Sequence, residues 1–145
     1  MTRQTSEARQ ELARRELARR DLITFCWYTF RQYVAAPLHK LLAAHLQDVE
    51  RYIISGGREG TGRLMVFMPP RHGKSELVSV RFPAWFLGRN PDLRVILASC
   101  TGSLATSFSR KVRNIVADTP FQVTFGGKSW PVSYTHLTLP TKRIV

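Results

Sequence analysis

The chain has 145 residues, is 43% hydrophobic and 22% charged, and carries a formal net charge of +12. That length suffices for one modest domain with its own core, and the composition excludes an intrinsically disordered chain. Two cysteines, Cys26 and Cys100, are too few and too far apart for a disulfide scaffold or a zinc site and read as free thiols in a reducing compartment.

The charge has two readings: a polyanionic partner, nucleic acid or nucleotide, or simply a well-solvated surface. It is unevenly spread. Residues 61–145 hold 12 Lys and Arg against three acids, Glu76, Asp92 and Asp118, whereas residues 1–60 hold 10 against seven.

Residues 6–20 contain the pentad Glu-Leu-Ala-Arg-Arg twice in succession. These are strong helix formers, and Glu precedes Arg at spacings that pair on a helix surface. Low apolar content predicts a surface helix, whose arginines either face solvent or contact DNA. Residues 22–30 form the longest apolar stretch near the start, too short for a bilayer. No apolar signal region precedes them, and Glu7, Glu11 and Glu16 argue against a transit peptide, so a soluble cytoplasmic protein with no membrane partner is expected. Pro37 then opens a helical stretch with Leu38, Leu41, Leu42, His45, Leu46 and Val49 on one face. A turn-rich loop over residues 55–62 closes a helical preface, residues 1–62.

Residues 64–68 read as a buried strand, the loop 69–73 follows, and a helix begins near Lys74. Pro83 predicts a kink or a restart, and residues 88–91 end that helix. Residues 93–98 read as a second strand. Thr101 or Ser103 caps a further helix bearing Leu104, Phe108, Val112, Ile115 and Val116, which residues 118–120 close. Strand, loop, helix, strand, helix predicts an α/β fold: an incomplete parallel sheet with flanking helices, of the phosphate-loop nucleoside-triphosphatase type, over residues 63–131.

Residues 68–75 read Met-Pro-Pro-Arg-His-Gly-Lys-Ser. They match the phosphate-loop pattern G-x-x-x-x-G-K-[ST] except at the first glycine, replaced by Met68. Gly73 lets the backbone approach a phosphate without a Cβ in the way, and the amides around residues 72–76 face an anion at a helix start. Pro70, Arg71, His72, Gly73, Lys74, Ser75 and Glu76 are thus the candidate ATP-binding residues, largely through backbone. Lys74 would reach the β- and γ-phosphates, and the Ser75 hydroxyl would ligate Mg²⁺. Arg71 is a candidate catalytic cation at the γ-phosphate; alternatively it pairs with a surface acid or contacts DNA. The His72 side chain is given no role. The plain alternative is an ordinary strand-to-helix turn. An apolar strand ending in paired acids, needed to hold Mg²⁺ and orient water, is missing, so binding without efficient hydrolysis is expected.

With these segments in view, residues 33–125 resemble the large subunit of bacteriophage terminases. The matching pieces are residues 36–40 (Ala-Pro-Leu-His-Lys), 68–76, 81–91 (with Phe-Pro-Ala-Trp), 94–99 and 107–113. The resemblance implies an ATP-driven motor that packages viral double-stranded DNA into procapsids. It also implies partners in the small subunit, the portal and a homo-oligomeric ring. Lys74 and Ser75 match the family's phosphate and Mg²⁺ groups, and Arg71 matches the arginine of its loops. His39 or Tyr33 falls where the family contacts adenine, with core packing the alternative for Tyr33. The family's acid pair, coupling motif and nuclease carboxylates have no counterpart. Other readings are another phosphate-loop ATPase or helicase, a small-molecule kinase, or a basic nucleic-acid-binding module without catalysis.

Residues 132–145 look like the translation of a transposon-type sequencing adapter joined to a truncated gene; the alternative is a genuine β-rich tail. Truncation would leave the expected 64–68 strand with unpaired edges, which predicts poor solubility or marginal folding.

Overall fold

A computed structural model describes residues 2–126. Helix α1 (Thr2–Arg20) forms where the paired pentads predict it, with Arg15 on Glu11 at 3.1 Å and Arg20 on Glu16 at 2.8 Å, each one turn apart. It is exposed along most of its length, but Ala18 is buried. The last carbonyls of a helix have no intrahelical donors. Here distant side chains supply them: Trp85 Nε1 donates to Ala18 O at 3.1 Å, Arg89 Nη1 to Arg19 O at 2.7 Å, and Gln47 Nε2 to Arg20 O at 3.4 Å. Asp21 then starts α2 (Leu22–Thr29), its carboxylate accepting from the Thr24 amide at 2.7 Å. Leu22, Ile23, Phe25 and Cys26 of α2 are buried.

Helix α3 (Pro37–Ile54) begins at its proline, whose missing N–H costs nothing in a first turn. Its buried side is Leu42, Ala43, Leu46 and Glu50, rotated from the predicted face; Leu38 and Leu41 are exposed. The Glu50 carboxylate is buried because Arg89 Nε (2.6 Å) and Asn90 Nδ2 (3.0 Å) both donate to it. Arg89 in turn lies over the Trp85 ring, 4.8 Å from its centroid.

From Lys74 the chain is helical in three consecutive pieces: α4 (Lys74–Glu76), a π-helical segment (Leu77–Arg81) and α5 (Phe82–Arg89). Pro83 has no N–H to give and its ring crowds the preceding turn. The helix answers by widening before it, with the Phe82 amide reaching back to Leu77 O, and then continues to Arg89. Arg81 is buried on this turn, held by Glu76 at 2.8 Å and by Thr29 Oγ1 at 3.2 Å, and lies over the Phe30 ring.

Thr101 caps α6 (Gly102–Ala117), and Asp118 both ends α6 and caps α7 (Thr119–Phe125). Helix α7 lies where the sequence predicted only a stop. Phe121 is fully buried and meets Phe25 edge-on at 6.3 Å; Phe125 lies 5.8 Å from Phe25. Gly88 makes room for this helix, since a Cβ there would sit 2.5 Å from the Phe125 ring. One buried cluster draws on residues from Ala18 to Phe121 and so runs across residue 62. The tail 132–145 lies outside the described residues.

The α/β expectation is overturned: every element among the described residues is a helix, with no strand and no sheet. Residues 64–68 are not the buried strand expected: they alternate, with Leu64, Val66 and Met68 half-buried against the core and Met65 and Phe67 exposed by 80% and 86%. Alternation alone does not make a strand, because a strand exists through its ladder of hydrogen bonds to a neighbour. Neither 64–68 nor 93–98 finds one. The predicted hazard of open sheet edges therefore gives way to a different one, exposed apolar side chains at Met65, Phe67 and Ile96.

Candidate phosphate-binding loop

The chain enters the loop from the core. Met68, standing where the pattern has its first glycine, packs against the buried cluster and anchors the loop there. Pro69 and Pro70 lead outward to Arg71, which takes a left-handed backbone (φ 62°), rare for a residue with a Cβ. Gly73 is also left-handed (φ 76°) and is the N-cap of α4. Glycine is needed here twice over, for the backbone angle and because a Cβ would lie 3.0 Å from His39 Nε2. No side chain caps this helix start. The first amides of a helix are orphan donors, so the amide side of residues 73–76 is available to an acceptor from outside.

The predicted residues are adjacent but not equally disposed. Arg71, His72 and Ser75 are exposed, and Lys74 is half-buried. Lys74 lines a shallow depression of about 350 Å³ with residues 66–69. Glu76 points elsewhere: Arg81 holds Oε1 and Lys111 stands 4.0 Å from Oε2. The His72 ring turns back on its own loop, with Nδ1 donating to Pro70 O at 2.8 Å.

His39 holds the loop from α3. The Ala36 amide donates to its Nδ1 at 3.1 Å, so that nitrogen carries the lone pair and Nε2 carries the proton. Nε2–H donates to His72 O at 2.8 Å. Both ring nitrogens are engaged, which leaves only the ring face for a base. Tyr33 stands beside it, ring centroids 6.0 Å apart, and packs on the core with its hydroxyl buried and unpartnered among the described residues. Burial pushes that phenol up to about 12. Position in the motif segment flagged His39; its hydrogen bond to a carbonyl 33 residues on had no local signal.

Ser75 Oγ is exposed and would be the side-chain oxygen open to a cation, since Glu76 is engaged by Arg81 and Lys111. No group of three or more His, Cys, Asp or Glu side chains gathers as a metal site among the described residues. This donor set suits Mg²⁺ carried by phosphate oxygens and water, with one protein contact. No described helix is long and apolar enough to cross a membrane. In comparison with known proteins, no family model, no curated protein and no solved structure matches the chain.

Proposed function

We propose that residues 70–76 bind the triphosphate of ATP, with Mg²⁺ carried on the phosphates and touched by Ser75. The observation that carries this reading is the uncapped helix start behind a left-handed Gly73, with Lys74 beside it. Backbone donors, a helix dipole and a cation then converge on one exposed point. Arg71 adds a second cation at the outer edge. The reading rests on this loop and needs no parallel sheet.

In this reading the chain is the ATP-binding part of a viral DNA-packaging motor subunit. That role, with double-stranded DNA, small subunit, portal and ring as partners, rests on the matching sequence segments alone. Hydrolysis is not part of the proposal, because the carboxylate next to the loop, Glu76, is occupied by Arg81 and Lys111.

Titration of a fluorescent ATP analogue with Mg²⁺ into the chain and into Lys74→Ala tests the reading. Saturable binding that weakens at least tenfold in Lys74→Ala is expected. Equal affinity of the two proteins, or no binding to either, overturns it.

A further inference from the structure

A groove of about 520 Å³ lies between α1, α2 and the start of α7, and none of its lining residues belongs to the loop. Trp27 and Tyr28 of α2 line it together with Arg14 of α1, Arg31 just beyond α2, and Pro120. Trp27 is 44% exposed, whereas α2 buries Leu22, Ile23 and Phe25 and half-buries Tyr28. An indole in water beside guanidinium groups is a stacking surface with cations at hand.

The electrostatics of the groove favour an anion. Glu11 is the acid among its lining residues, and it is already spent: Tyr28 donates to Oε1 at 2.5 Å and Arg15 Nε at 3.1 Å. Those bonds hold Glu11 ionised and below the usual carboxylate range, with Arg15 as its counter-charge. The exposed Arg14 and Arg31 remain as the groove's excess charge. They stand on a chain of net charge +12.

We infer that this groove binds single-stranded nucleic acid, with a base stacked on Trp27 and flanking phosphates met by Arg14 and Arg31. Duplex DNA hides its base faces in the stack and presents only backbone and groove edges, which cannot use an exposed indole. A strand with free bases uses both the ring and the cations. The inference does not rest on ATP binding, so either can fail alone.

The test is fluorescence anisotropy with fluorescein-labelled oligothymidylate of twelve nucleotides, the matching oligouridylate, and a twelve-base-pair duplex. Trp27→Ala is expected to weaken oligothymidylate binding about 5- to 150-fold, while Trp27→Phe keeps most of it. Arg14→Ala and Arg31→Ala are each expected to flatten the salt dependence of log K by about 0.7. Arg94→Ala, whose exposed arginine lies outside the groove, is expected to change affinity by less than either. Oligouridylate binding as well as oligothymidylate supports the shared base-and-phosphate chemistry; a preference for either strand type supports it with a sugar contact added. The inference is overturned if Trp27→Ala binds like the parent chain, if the duplex binds more tightly than the single strand, or if Arg94→Ala matches Arg14→Ala.

Discussion

His39 on α3 donates from Nε2 to the backbone carbonyl of His72 at 2.8 Å, which fastens the candidate loop to a helix that begins two residues earlier, at Pro37. A net hydrogen bond of this kind is worth about 1 kcal/mol. His39→Ala is expected to free residues 72–76: their amides exchange with solvent about fivefold faster, and ATP affinity falls by a similar factor. Hydrogen exchange read by mass spectrometry checks this. Unchanged exchange in the loop would show that its shape is held elsewhere.

The Tyr28–Glu11 bond fastens α2 to α1. The Tyr28 hydroxyl first, then Arg15, holds the Glu11 carboxyl below its ordinary 4.5. A carboxyl with a depressed folded-state value stabilises the fold fully above its unfolded value. That contribution fades as the pH falls through the depressed one. Tyr28→Phe is expected to cost roughly 0.5–1 kcal/mol at pH 7, kept small because Glu11 is partly exposed. The gap between parent and variant in urea midpoint should narrow at pH 3. A gap that stays constant or widens towards acid refutes this account of the pair.

The two thiols should behave as opposites. Cys26 is buried in α2, and burial pushes its thiol up to about 12, while Cys100 is exposed. At pH 8 Cys26 therefore stays protonated and shielded. Ellman's reagent is expected to modify one thiol promptly in the native chain and the second only in denaturant. Prompt modification of both would mean that α2 does not pack as described.

Much of the helical layout is legible along the chain because its causes are local. The pentads of α1, Pro37 at the start of α3, Thr101 capping α6 and the stop after Arg89 all act within a turn of where they stand. The sheet expectation fails for the opposite reason. Residues 64–68 have a strand's alternation, but a strand needs a partner, and no local feature shows whether one exists. Helix α7 was hidden because Asp118 serves two helices at once, so one stop was visible and the new start was not. The buried face of α3 turned on Glu50, a charged residue that pairing with Arg89 lets inside.

The same division runs through the site. The loop residues follow one another in sequence, so their clustering is readable, whereas the left-handed angle and the clearance of His39 that require glycine at Gly73 are not. The brace from His39, the commitment of Glu76 to Arg81 and the capping of α1 by Trp85 and Arg89 join residues distant along the chain or set by the π-helical turn. They appear only once the helices are packed.

In the proposed function, the helix start at Gly73 receives the phosphates of ATP. Amide chemical shifts of the uniformly ¹⁵N-labelled chain, recorded while ATP and Mg²⁺ are added, test it most directly. The largest, saturable shifts are expected at Gly73, Lys74, Ser75 and Glu76, and they should vanish in Lys74→Ala. Shifts confined to other residues, or a loop that does not respond at saturating ATP, would contradict it.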